Sequence, residues 1–317
     1  MFNIVQKRKW YFLLSAAIII PGLIIMIYST ITTGAPFRMS IDFQGGSIYD
    51  LSFQGEITEA QIRDAFASVG DSNVVVQRLN VSGADEAEER WSVRGSFLEE
   101  SETQAVLAEL ANIAPVQKNS IDQVSPTIGA EVARAALAAT AMAGLVITGF
   151  IVFAFRQIPK ALRYGVCAVT AMLHDLLVVM GVMSLAGLLL GWEIDALFLT
   201  AILTVVGFSV QDSIVLFDRI RENIPKHLGE PYETIVNRSI WETIHRSLAT
   251  QLNAFFIMGA ILLFGGDTVK QFIAILFIGL LSGTYSSLFT AVPLLVAWEK
   301  GEIPFLKGDE DITERRV

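Results

Sequence analysis

Residues 196–223 read ALFLTAILTVVGFSVQDSIVLFDRIREN, and this stretch decides the fold class. Ala196 to Phe217 is long and apolar enough for a helix to cross a hydrocarbon core, which takes about 20 such residues. One acid, Asp212, sits inside the run, and the run ends at the charged cluster Asp218, Arg219 and Arg221. Five more stretches qualify on the same grounds: Trp10 to Tyr28, Arg134 to Phe155, Leu162 to Leu190, Leu248 to Gly265 and Phe272 to Trp298. A composition of 53% hydrophobic and 17% charged residues agrees, being too apolar for an ordinary soluble chain of 317 residues. The expected architecture is a six-helix membrane bundle with one domain inserted between the first two spans.

The inserted segment carries the acidity. Gly34 to Ala133 holds 16 acidic and 6 basic residues, so the formal charge of -9 becomes about +1 outside it. Nucleic acid is excluded as a ligand for such a surface, because phosphate neutralisation needs clustered Lys and Arg. Cys167 stands alone in an apolar run, so no disulfide can form within the chain.

Basic residues flank alternate connections. Lys7, Arg8 and Lys9 precede span 1, Arg156, Lys160 and Arg163 lie between spans 2 and 3, and Arg219, Arg221, Lys226, Arg238 and Arg246 lie between spans 4 and 5. Gly191 to Asp195 has no basic residue and Gly266 to Gln271 has only Lys270. This asymmetry places both termini in the cytoplasm and the acidic segment outside it. The first span is expected to be retained, since its run is too long for a signal core and no A-x-A site follows Tyr28.

Within residues 31–133, Gly46 to Phe53 alternates Tyr49, Leu51 and Phe53 against Ile48, Asp50 and Ser52, which predicts a strand. Thr58 with Gln61 predicts a capped helix through Val69, and Ser101 with Gln104 a second helix through Ile113. Asn73 to Asn80 and Arg90 to Phe97 read as strands around the acidic turn Ala84 to Glu89, and Val116 to Val124 as a last strand. The order β-α-β-β-α-β is that of an α+β ferredoxin-like domain. Its residues suit binding or docking, with no catalytic constellation.

The candidate site residues lie in the spans. His174 and Asp175 fall mid-span 3 and Asp212 in span 4, where an ionised group costs roughly 2.5 to 3.5 kcal/mol on insertion scales and usually faces protein and works. Asp212 also fits a polar group reaching water near the interface, and His174 with Asp175 fits a structural hydrogen-bonded pair. Gly207, Ser209, Gln211 and Ser213 crowd around Asp212, and Gly279 with Gly283 makes a GxxxG step in span 6 accompanied by Ser282, Thr284, Ser286 and Ser287, all features of close helix approach. Arg246 opens span 5 at a depth suited to an ion pair with Asp212, or to a plain positive-inside anchor. Ile235, Val236, Ser239, Ile240, Thr243 and Ile244 recur at helical spacing, predicting an amphipathic cytoplasmic helix over about 230–246 along the interface. With three histidines, one cysteine, no G-x-S-x-G and no Walker A sequence, no enzyme, metal site or cofactor is expected.

Several motifs occur together in a telling order. IDFQGG at Ile41 to Gly46, including Asp42, Gly45 and Gly46, is followed by VSPTIGAE at Val124 to Glu131, then His174 and Asp175, and then GFSVQDSIVLFDRIREN at Gly207 to Asn223. IHRS at Ile244 to Ser247, FGG at Phe264 to Gly266 and GTYSS at Gly283 to Ser287 complete the set. This ordered set resembles the SecF family of accessory subunits of the bacterial Sec machinery, in the resistance-nodulation-division superfamily, over nearly the whole chain. Gln44, Ser125 and Gln211 depart from the usual Thr, Gly and Asn. The resemblance implies an inner-membrane subunit that pairs with SecD beside the SecYEG channel and engages an exported unfolded polypeptide, using the proton-motive force. It places proton coupling on Asp212 and Arg246. The alternatives are a scaffold subunit without its own coupling, or half of a proton-coupled small-molecule exporter.

Overall fold

The computed structural model describes residues 3–72, 74–79, 88–156 and 160–303. The chain divides into two compact units, one formed by Met39–Ala138 and the other by the segments on either side of it.

In the first unit the order is α2 (Ile41–Gln44), β1 (Gly46–Gln54), α3 (Glu59–Ser68), β2 (Val75–Leu79), β3 (Glu88–Gly95), α4 (Glu100–Ile113) and β4 (Val116–Val124). The sheet is antiparallel in the order β2-β3-β1-β4. Tyr49, Leu51 and Phe53 are fully buried, as strand alternation requires, and pack with Trp91 and Val93 of β3, Ile62 and Phe66 of α3, and Val106 and Leu110 of α4. Each such side chain contributes about 1.5–3 kcal/mol by leaving water.

The capping box at the start of α3 forms as expected, with the Gln61 carbonyl accepting from Thr58 N–H at 2.9 Å and Thr58 Oγ1 accepting from Gln61 N–H at 3.3 Å. The second cap differs from the expected Ser101 and Gln104. Helix α4 starts two residues earlier, where the Glu102 carboxylate accepts from Glu99 N–H at 2.9 Å and adds negative charge to the first turn. Part of the acidic turn expected at Ala84 to Glu89 lies outside the described residues.

The IDFQGG motif is a joint. Ser40 Oγ caps α2 by accepting from Asp42 N–H at 3.2 Å, and the chain then turns through Gly45 (φ 77°) and Gly46 (φ 136°) into β1. A Cβ on Gly45 would stand 2.6 Å from Pro126 Cα, and one on Gly129 would stand 2.6 Å from Gly45 N. The start of the sheet therefore meets the first turn of the following helix backbone to backbone, which only glycine permits.

The second unit is built from α1 (Arg8–Thr33), the rest of α5 (Pro126–Ala154), α6 (Ala161–Leu190), α7 (Ala196–Lys226), α8 (Tyr232–Phe264), α9 (Asp267–Ser286) and α10 (Val292–Glu299). A five-residue π-helical stretch, Ser287–Ala291, joins α9 to α10, so the last span is continuous from Val269 to Glu299. Pro293 explains it, because proline supplies no N–H to the ladder and the helix widens locally ahead of it. Six helices are long and apolar enough to cross a membrane. Helices α6, α7 and α9 form the interior, while α1, α5 and α8 leave long apolar faces exposed, with Leu137, Leu145, Phe256 and Leu263 among them. Gly22 and Gly181 let α1 cross α6 closely, a Cβ on Gly181 standing 2.8 Å from Gly22 Cα.

The separate amphipathic helix expected over about 230–246 is instead the first half of the 33-residue α8. Its apolar residues Val236 and Ile240 are fully buried with Ile4, Val5, Phe217 and Ile220 rather than spread along an interface. No glycine or proline separates it from the span, so the helix runs straight on.

Two predictions test this fold. Gly45→Ala combines a disfavoured left-handed φ with a backbone clash and is expected to destabilise the first unit by roughly 1–3 kcal/mol, read as faster proteolysis of that unit in the full chain. Arg90 binds Asp50 in a forked ion pair at 2.9 and 2.5 Å, and that hydrogen bonding holds the Asp50 carboxyl below its ordinary range. A depressed carboxyl stabilises the fold above its unfolded pKa and loses that contribution as pH falls through the folded value. Hydrogen exchange across β1 and β3 is therefore expected to accelerate in acid, and Asp50→Asn to flatten that acid dependence.

Candidate functional site

At the centre of the bundle, α6 carries His174 and Asp175, 5% and 1% exposed. A carboxyl group at this depth needs hydrogen-bond partners for both oxygens, and Asp175 has four, from three helices. Ser209 of α7 donates to Oδ2 at 2.5 Å, Ser286 of α9 donates to Oδ2 at 2.7 Å, Ser282 of α9 donates to Oδ1 at 2.6 Å, and His174 Nδ1 lies 3.1 Å from Oδ1. Ser282 and Ser286 are one helical turn apart and so share a face.

The glycine step explains how those serines arrive. A Cβ on Gly279 would stand 2.2 Å from Val205 Cγ2 of α7, and one on Gly283 would stand 3.5 Å from Ser209 Cα and 3.6 Å from Asp175 Oδ2. With hydrogen at both positions, α9 lies against α7 and its hydroxyls come within reach of α6. Ser213, also buried, bonds within α7, donating to Ser209 O at 3.1 Å.

The two candidate acids occupy different surroundings. Asp212 is half-buried on the α8 side of α7, beside the exposed Gln211. Its carboxylate accepts from Gln251 Nε2 of α8 at 2.5 Å, not from the expected Arg246, whose side chain is exposed. Gln251 is five residues past Arg246, about 7.5 Å further along the helix, and the shorter amide side chain meets the acid at that level. The charged end of α7 forms a surface network: Arg221 to Asp218 at 2.6 Å, Arg219 to Glu222 at 2.8 Å and Arg219 to Glu242 of α8 at 2.7 Å. Asp42, Gly45 and Gly46 belong to the joint of the other unit.

Sequence reasoning missed Gln251 and Ser15. For the first, the signal was an amide in a largely apolar run, shared with Thr250 and Asn253. Ser15 carried none, because a single hydroxyl in a spanning helix usually bonds to its own backbone. Among the described residues no cluster of His, Cys, Asp and Glu has the makings of a metal site.

These features define a polytopic membrane protein with an acid ringed by hydroxyls inside its bundle. The family described as "Protein export membrane protein SecD/SecF, C-terminal" matches residues 105–301, and the SecD/SecF GG motif matches residues 30–56. The chain is 43% identical to Protein translocase subunit SecF of Anaerolinea thermophila over 95% of its own length and 96% of that protein's. It is 30% identical to Protein translocase subunit SecDF of Bacillus subtilis, covering 95% of itself and 39% of that longer protein. The crystal structure of SecDF from Thermus thermophilus, a translocon-associated membrane protein, superposes with a TM-score of 0.73 at 28% identity over 94% of this chain and 39% of that one. The chain belongs to the SecD/SecF family of protein export membrane proteins.

Gly279→Ala is expected to push α9 off Val205, lowering the thermal midpoint of the detergent-solubilised protein by an overpacking cost of about 1–3 kcal/mol. Adding Val205→Ala should recover most of that loss. A Gly279→Ala protein as stable as the parent would contradict the described contact.

Proposed function

We propose that this chain is an accessory subunit of the Sec preprotein translocase in the bacterial inner membrane, with both termini cytoplasmic. It works with a SecD-type partner and uses proton entry at Asp212 to drive late steps of export. The observation that carries the reading is the openness of Asp212: a carboxylate half-buried in a spanning helix, held in its one described hydrogen bond by an amide, next to the exposed Gln211, with the neighbouring α8 leaving Arg246 and a long apolar face exposed. Such a face calls for a cover, and the SecDF relatives, of which this chain spans 39%, are single chains long enough to supply it. The strand order β2-β3-β1-β4 supports a ferredoxin-like reading of the outer unit, which would engage the exported chain.

In this reading Asp212 alternates between Gln251 and Arg246. When ionised it pairs with Arg246, and when protonated it releases the guanidinium and stays with the amide. The exchange shifts its partner by about 7.5 Å along α8, so it moves α7 relative to α8 or swings the long arginine side chain. A proton crossing 100 mV gains about 2.3 kcal/mol, enough to bias two arrangements of comparable energy.

Asp212→Asn is expected to abolish gradient-dependent export from membrane vesicles while the complex still assembles, and Arg246→Met to do the same. Export at the parental rate in both variants would leave the chain a scaffold.

A further inference from the structure

One of the four described contacts of Asp175 leads further into the bundle. Of its four described partners, Ser209, Ser282 and Ser286 make no further described side-chain hydrogen bond to a titratable or hydroxyl group. His174 does. Its Nδ1 faces Asp175 at 3.1 Å and its Nε2 lies 3.1 Å from Ser15 Oγ of α1. Ser15 Oγ in turn lies 3.4 Å from Thr290 Oγ1 of the π-helical stretch and 3.5 Å from the Tyr285 hydroxyl, which donates to Tyr11 O at 2.8 Å. Tyr285 also stacks on the imidazole, with ring centroids 5.8 Å apart.

We propose that His174 relays protons between Asp175 and the Ser15, Thr290 and Tyr285 hydroxyls, forming a path inside this chain separate from Asp212. This inference rests on the proton-coupled reading of the subunit and names a second site for it.

The chemistry follows from the two nitrogens of one ring. In one state Asp175 is ionised, Nδ1–H donates to Oδ1, and Nε2 accepts from the Ser15 hydroxyl. In the other Asp175 is protonated and donates to Nδ1, while Nε2–H donates to Ser15, whose hydroxyl turns to Tyr285. To pass from the first to the second, the Nδ1–H bond breaks as the Oδ1–H bond forms. Nε2 takes the proton of Ser15, and the hydroxyl group is replenished by one proton from the Tyr285 end, the reverse passage releasing one proton there. One proton enters and one reaches Asp175, and the imidazole ends neutral, so no second buried charge is created. Every group between the ends both donates and accepts, so each link can reverse.

Among the described residues, the titratable side chains in contact with this path are Asp175 of α6 and Tyr285 of α9, with the Tyr11 backbone carbonyl of α1 accepting at its end and Asp212 one turn past Ser209 on α7, bonded to α8. None of the hydrogen bonds or ion pairs described for His174 and Asp175 involves a Lys or Arg. The π-helical widening gives Thr290 its place. It sits directly after the serines that hold Asp175, which puts both hydroxyl groups on one continuous span.

Ser15 provides the cleanest test, because it touches the relay and not the carboxylate. In the complex with the SecD-type partner, Ser15→Ala is expected to cut gradient-driven export about tenfold or more without reducing co-purification, and Ser15→Thr, which keeps the hydroxyl, to restore it. Infrared difference spectra of the same complexes should show the protonated-carboxyl band of Asp175, assigned by its loss in Asp175→Asn. That band is expected to respond to an imposed gradient in the parent and in Ser15→Thr and to be silent in Ser15→Ala, which a merely structural hydroxyl would not cause. Parental export in Ser15→Ala, or a band that still responds there, overturns the relay. Asp212→Asn run alongside separates the failures. If Asp212→Asn stops export while Ser15→Ala does not, only the relay is wrong; if neither affects export, the proton-coupled reading falls with it.

Discussion

A carboxylate taken out of water into a bundle of apolar helices has to find its hydrogen bonds in the protein, and much of this structure can be read as the consequence. Asp175 draws hydroxyls from α7 and α9 onto its two oxygens. Those hydroxyls reach it only because Gly279 and Gly283 remove the side chains that would hold the helices apart. Three helices are thus tied by short polar contacts inside a core where dispersion alone would leave their relative rotation poorly specified. The widened turn ahead of Pro293 continues the same face, carrying Thr290 toward α1.

The two intramembrane acids answer the cost of burial in opposite ways. Asp175 is enclosed and saturated, which suits a group whose surroundings are complete within this chain. Asp212 is half-open, its one described side-chain hydrogen bond comes from the Gln251 amide, and its neighbour Gln211 is exposed.

Outside the bundle, the glycine pair and Gly129 do a different job. They bring the first strand and the first turn of α5 into backbone contact, so the sheet is joined to the helix that leads into the second span through a junction with no side chains to yield. Inside the same unit, the Arg90 and Asp50 pair holds the middle strand to its neighbour on the face away from the helices.

Much of this was legible along the chain. Apolar runs long enough to span a bilayer, strand alternation at Tyr49, Leu51 and Phe53, and the box at Thr58 are local patterns, set by periodicity and by the first turn of a helix, so they can be read one segment at a time. The polar candidates Asp175 and Asp212 stood out for the same reason, since a charge in an apolar run is costly wherever the helix ends up. What each acid touches was not legible. Ser15 lies 159 residues from His174 and Gln251 lies 39 from Asp212, and such pairs are brought together by helix packing and rotation that no local spacing encodes. The same cause undid the separate helix expected over 230–246, whose apolar side is claimed by the bundle rather than by an interface. By itself the sequence determined the number of spans, the inserted sheet and the identity of the acids, because these follow from hydrophobic length and period. Only the tertiary structure decided that Asp175 is enclosed by hydroxyls and Asp212 is left half-open, because hydrogen-bond partners across a bundle depend on which helix faces meet.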